Sequence, residues 1–254
     1  MSTAPLPQSP DSPQPPQTQP AKGTTRSLCI AGKVLVCMLA IAVLAWVAVR
    51  SVVRMIAKGD QLVALRNGQS LMLAMNDFHA EFGSFPDRKT AQHLAAMIDT
   101  QLDLSGDSAN DYFRQLIAAG ICKSEDPFFS VTPYSPYPPD NVTTGKYALS
   151  AREVGFGYIM NGDAAIGIDN PDRIIAVTPL LNASASDDFD PAPLAGKAVV
   201  VCLDTTTKAL PIREDHKIVV SGTHTTLLDY GAHTSWGIAI KPVLKPPKTQ
   251  NRNP

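Results

Sequence analysis

Three histidines crowd the last part of the chain, His216, His224 and His233, and histidine is the side chain best suited to bind a metal or move a proton near neutral pH. Their gaps of eight and nine residues match no compact zinc signature. Asp229, His233 and Ser235 supply the residue types of a hydrolytic triad, yet no nucleophile-elbow pattern surrounds them, and neighbours in sequence rarely assemble a triad. Residues 184–190 (SASDDFD) carry Asp187, Asp188 and Asp190. An oxygen-rich loop of this kind is a calcium candidate, although its spacing is not that of an EF-hand, and a solvated acidic loop is the simpler reading. Tyr134, Tyr137 and Tyr147 lie in a Pro-rich stretch, where they could stack on sugar rings or simply pack. Asn141-Val142-Thr143 and Asn182-Ala183-Ser184 fit the glycosylation pattern, a weak signal in a chain of this length. There is no phosphate loop, dinucleotide fingerprint or CxxC pair. The residue pattern therefore predicts no catalytic residue and no organic cofactor, with calcium the sole metal considered.

The strongest feature lies elsewhere. Residues 34–49 (VLVCMLAIAVLAWVAV) are apolar throughout, and the 22 residues of 28–49 carry a single charge, Lys33. As a helix this segment spans roughly 33 Å, enough for a hydrocarbon core of about 30 Å. Lys33 can snorkel to one interface and Trp46 can sit at the other. The segment is long for a signal-peptide core, it starts late, and no clean small-x-small site follows it before Arg50, so an uncleaved anchor is the better reading than a removed signal. The basic residues on its two sides balance, and the positive-inside rule assigns no orientation. Net charge is -1, which gives a nucleic-acid partner no electrostatic support.

Residues 1–26, dominated by Pro, Gln and Ser, read as a disordered tail. Beyond the membrane segment, Val52, Ile56, Val63, Leu71, Met75, Phe78 and Phe82 recur at helical spacing, with the last four on one stripe that should carry a sheet. Gly83 is the expected C-cap and Pro86 forbids continuation. Short helices are predicted over 90–100 and 108–119, then an irregular loop over 124–145. Strands are expected at 155–160, 173–181, 198–203, 209–212, 217–220 and 235–240. Helices first and strands later predict an α+β head with an antiparallel sheet, spanning 50–241, followed by a flexible tail over 242–254. Of the four cysteines, Cys122 and Cys202 fall in the head. Either they form one disulfide, if the head is extracytoplasmic, or they are two buried free thiols.

Residues 67–87 (NGQSLMLAMNDFHAEFGSFPD) resemble the end of the long first helix, and the Gly-x-aromatic-Pro turn after it, in the pseudopilins of type II secretion and their type IV pilin relatives. Residues 196–204 (GKAVVVCLD) are similar to a late strand and Asp-containing turn of those proteins. The chain departs from the prepilin processing motif: Gly32 is followed by Lys33, and no Glu occurs between 28 and 49. The resemblance implies a single-pass protein of the inner (cytoplasmic) membrane, with its head extracytoplasmic and without enzymatic activity. Its partners would be the membrane and other envelope or secretion-apparatus proteins, or further copies of itself. It gives architectural roles to Leu71, Met75, Phe78, Phe82, Gly83 and Pro86. A membrane-anchored hydrolase using the late His and Asp residues, and an anchored glycan-binding module using the Tyr loop, are the alternatives.

Overall fold

The computed structural model describes residues 24–98, 100–220 and 225–250, with side chains from Leu35 onward. The Pro-rich segment before Thr24 and the side chain of Lys33 lie outside the described residues. The first helix, α1, runs Thr24–Phe82. The chain divides between Ser51 and Val52, and the two parts are taken separately.

In the first part the side chains of residues 35–49 are apolar all round the helix, and Leu35, Met38, Leu44 and Trp46 are all more than half exposed. A helix without a polar face is stable in water only when protein covers it. Among the described residues this is the one helix long and apolar enough to cross a membrane. The Arg50 guanidinium lies 4.1 Å from the Trp46 ring centroid, an arrangement suited to an interface where both groups keep a polar side toward water.

In the second part α1 buries one narrow face: Ala57, Ala64, Gly68, Leu71, Met72, Met75 and Phe78. Leu71, Met75 and Phe78 meet expectation, and Phe82 stacks on Phe78 with ring centroids 4.5 Å apart. Val52, Ile56 and Val63, which recur at helical spacing but lie outside that stripe, are 54%, 60% and 43% exposed. The buried face is lined early on by small residues, because the sheet approaches the helix backbone at Gly68. A Cβ placed on Gly68 would sit 2.9 Å from a Val201 methyl and 3.2 Å from that of Thr207. The Thr207 hydroxyl donates to the Leu65 carbonyl at 3.2 Å. Gly59 has open space around it. Gly68→Ala should therefore destabilise the head by about 1–3 kcal/mol, whereas Gly59→Ala should stabilise it by about 0.5–1 kcal/mol through helix propensity. Denaturant titration of the full chain in detergent distinguishes the two signs.

Gly83, at φ +75°, ends α1 in the left-handed conformation, and its N–H donates to the His79 carbonyl at 2.8 Å. Pro86 is buried and its carbonyl accepts from the Tyr158 hydroxyl at 3.0 Å. Helix α2 (Arg88–Met97) starts at once, capped by Asp87, which accepts from the Lys89 and Thr90 N–H groups. Helix α3 (Ala109–Ala118) is capped by Ser108. Strands β1 (Gly157–Asn161), β2 (Ile174–Thr178), β3 (Lys197–Cys202), β4 (Thr207–Pro211) and β5 (Pro242–Lys245) form one antiparallel sheet in the order β4-β3-β2-β1-β5. The expected α+β class is the one observed.

Both faces of the sheet are buried, by side chains that alternate along each strand. Tyr158, Met160, Val199 and Val201 pack with the helices. Ile159, Val200, Cys202 and Leu244 face a second core completed by Phe189, Ile218, Leu227 and Trp236 from the connecting loops. A register shift at 174–176 lets Ile175 and Ala176 both join the helix-side core.

Several expectations need correction. Residues 242–254 are not all a flexible tail, because Pro242–Lys245 pairs with β1 along Tyr158–Asn161. Proline suits this first position of an edge strand. The chain then continues against α3: the Pro246 carbonyl accepts from Ala109 N–H at 3.0 Å, and Lys248 N–H donates to Asn110 Oδ1 at 2.8 Å. Residues 217–220 and 235–240 are not strands. Their apolar residues Ile218 and Trp236 pack beneath the sheet, whereas Ile238 is exposed, and the segments are held by isolated bridges such as Ile212 to Ile218 and Gly231 to Gly237. Cys122 and Cys202 are free thiols, and they belong to the cores on opposite sides of the sheet. Burial pushes the Cys122 thiol up to about 12, and raises that of Cys202 as well, which leaves both inert.

Candidate functional site

In the acidic loop considered for calcium, Asp187 and Asp188 already share a cation. The Lys217 ammonium pairs with Asp187 and lies 3.0 Å from Asp188 Oδ1, holding the Asp188 carboxyl below its usual range. Asp190 Oδ1 accepts from Ala192 N–H at 2.9 Å, as in an ordinary turn. A lysine thus occupies the position that a cation bound to Asp187 and Asp188 would need, so the calcium reading of this loop fails on charge.

The late histidines are held apart. His216 sits in the turn at 213–217 with its Nδ1–H donating to the Phe189 carbonyl at 2.9 Å. His233 is exposed in the Gly231–Gly237 turn, and His224 lies outside the described residues. Of the three residue types read as a triad, Asp229 and Ser235 line one cavity of about 420 Å³ beside Trp236, Asp172 and Lys208, while His233 is not part of its wall. The Asp229 carboxylate accepts from Thr226 N–H at 2.7 Å, and the Trp236 indole N–H donates to the Leu227 carbonyl at 2.7 Å. Asp229 and Trp236 are thus committed to shaping its walls.

The tyrosines divide. Tyr134 is a core pin: it is buried, its hydroxyl donates to the Gly155 carbonyl at 2.8 Å, and it accepts from Leu180 N–H at 3.0 Å. Tyr137 and Tyr147 are 54% and 61% exposed. The Arg152 guanidinium lies 4.9 Å from the Tyr137 ring and the Lys146 ammonium 5.3 Å from that of Tyr147.

Two polar constellations were missed by sequence reasoning. The first surrounds α3, whose residues Ala109 to Ile117 are buried on every side although they include Asn110, Asp111, Arg114 and Gln115. Arg114 donates to the Ala148 carbonyl at 2.7 Å, the Leu149 carbonyl at 2.8 Å and Asp111 Oδ1 at 2.6 Å. Lys248 also pairs with Asp111. Gln115 bridges to α2, accepting from the Thr90 hydroxyl at 2.6 Å and donating to the Asp87 carbonyl at 2.9 Å. Beside it, Lys245 of β5 reaches Asp107 at 2.8 Å and Asp163 at 3.1 Å. The second constellation is a carboxyl trio, Glu125, Asp140 and Glu153, with one oxygen of each within 4.8 Å of the others. Burial, reinforced by the two neighbouring acids, pushes Glu125 up to about 7. No local signal marks these residues: spacings of fifteen and thirteen belong to no motif, and only the folded loop brings them together.

What the head presents is therefore an exposed loop with two cation-flanked tyrosines, set on a framework of buried polar bonds. Compared with protein-family models, with characterised proteins and with solved structures, the chain matches none.

Proposed function

We propose that this chain is a non-enzymatic, single-pass envelope protein with a pseudopilin-like head, a structural or accessory component of a secretion or pilus-like apparatus at the inner membrane. The observation that carries the reading is α1 itself. Its described apolar segment from Leu35 is uncovered by the chain's own residues. Its later residues form the face on which an antiparallel sheet rests, ending at the Gly83–Pro86 turn. Such a helix serves as anchor and as scaffold, and needs no active site to do either. On the head portion of α1, Leu62 and Leu73 are 67% and 54% exposed; apolar side chains left uncovered on a load-carrying helix suit contact with another subunit.

The test is photo-crosslinking in cells from a benzophenone amino acid at Leu62 or at Leu73 in the full chain. Adducts with other single-pass envelope proteins or with a second copy are expected from both positions. Absence of adducts at both, with the protein present in the membrane, would remove the apparatus role. The exposure of Tyr137 and Tyr147 favours a second reading, an anchored glycan-binding module, in which both rings stack on sugars. Retention of the full chain on immobilised envelope polysaccharide, lost in Tyr137→Ala and Tyr147→Ala together, would select it.

A further inference from the structure

The loop that carries Tyr137 and Tyr147 is exposed over most of residues 136–147. It is anchored on one side by the Tyr134 hydroxyl on the Gly155 carbonyl, and on the other by Arg114 on the Ala148 and Leu149 carbonyls. Between these anchors it is fastened at Glu125. The Glu125 carboxyl, 1% exposed, accepts from Asn141 N–H at 3.1 Å and from Leu149 N–H at 2.8 Å. In return the Asn141 side-chain oxygen accepts from Glu125 N–H at 3.0 Å and from the Ser124 hydroxyl at 2.9 Å. Asn141 itself is held at φ +59°, a conformation that asparagine tolerates but that has to be stabilised from outside.

The fastening has an unusual partner. One oxygen of the Glu125 carboxyl lies within 4.8 Å of one of Asp140, on the loop itself, and two like charges so close, one of them buried, favour a proton on Glu125. The charged groups facing this pair are Glu153, on the far end of the same loop, and, beyond it, Arg114 of α3. Glu153 adds like charge and accepts from Ser150 N–H. Arg114 is directed instead at Asp111 and two carbonyls. Loss of that proton would leave three carboxylates with oxygens within 4.8 Å of one another, one of them buried and, among the described residues, none in an ion pair.

We propose that residues 136–147 form a proton-controlled flap, closed while the buried Glu125 carboxyl beside Asp140 holds a proton and released at its Asn141 fastening when that proton is lost. The inference concerns the head alone and stands whichever partner the protein binds. The sign follows from linkage. Unfolded, Glu125 titrates near its ordinary 4.5, whereas in the folded chain it keeps its proton up to about 7. The closed form therefore binds more protons across that interval, and its advantage is complete below the lower value and lost as pH rises through the upper one.

Hydrogen exchange of the full chain in detergent tests this, with protection factors corrected for the intrinsic pH dependence. Between about pH 5.5 and about pH 8 the protection of the Asn141 amide should fall at least about tenfold, while that of Val199 in β3 stays constant. In Asp140→Asn, an exposed position, the like charge facing Glu125 is removed, so the fall should vanish or move to lower pH. In Glu153→Gln, which removes one neighbouring charge, it should also move to lower pH. Superimposable profiles for wild type and both variants would overturn the proposal. So would restoration of protection at about pH 8 by millimolar calcium, since the trio would then be answering to a metal cation and not to a proton.

Discussion

Phe78→Ala should lower the unfolding free energy of the head by about 3–5 kcal/mol, the cost of removing a large aromatic side chain from a packed core. Phe78 is fully buried on the sheet-facing side of α1 and stacks against Phe82. Its neighbours in the helix-side core, Leu71, Met75 and Tyr158, come from both the helix and the sheet, so the space left behind cannot close by moving one element. Leu73→Ala supplies the control. Leu73 is 54% exposed on the same helix, and its loss should change stability by no more than about 0.5 kcal/mol. Denaturant unfolding of the full chain in detergent checks both; equal effects would mean that the α1 face has been misassigned.

Arg114→Ala should cost about 3–5 kcal/mol for a different reason. The Arg114 side chain is 7% exposed and its guanidinium satisfies Asp111 and the carbonyls of Ala148 and Leu149 together. Truncation leaves those two carbonyls without their charged donor in a site that water does not reach, and leaves Asp111 with Lys248 as its remaining cation. Arg114→Lys should recover little, because a single ammonium cannot reproduce a planar fork that reaches three acceptors. The effect should also be insensitive to salt, which screens exposed pairs far more than buried ones. A loss of less than about 1 kcal/mol, or one that halves in high salt, would show that α3 is held by its apolar residues alone.

How much of this could be read from residues alone depends on the range over which each signal acts. The Leu71–Phe82 stripe, the Gly83 stop and the strands near 157–161, 174–178 and 197–202 were legible because periodicity and turn chemistry are local. Strand β5 was not, since Pro242-Val243-Leu244-Lys245 shows no clear period of two, and its partner β1 lies some eighty residues away in the chain. Trp236 and Ile218 suggested strands because they are apolar, but their role is to cover a sheet from loops. The small face of α1 was missed for the converse reason: Ala57, Ala64 and Gly68 give a weak hydrophobic signal where the backbone approach is closest. The neighbouring Val201 methyl explains why a residue of low helix propensity stands at Gly68. At the candidate sites, the Asp187–Asp190 loop looked like a cation site because Lys217 is remote in sequence, and the Glu125 trio left no trace because its members meet only across a folded loop.

The proposal that the head is anchored and extracytoplasmic is tested most directly in a bacterial host carrying the full chain with Lys197→Cys, an exposed position on β3. The native head thiols Cys122 and Cys202 are buried and should react slowly. After the outer membrane is made permeable, a maleimide that cannot cross the inner membrane should label the introduced thiol in intact cells, and the protein should stay with the membranes through alkaline carbonate extraction. Release of the protein into the carbonate supernatant, or labelling only after the inner membrane is broken, would contradict the account.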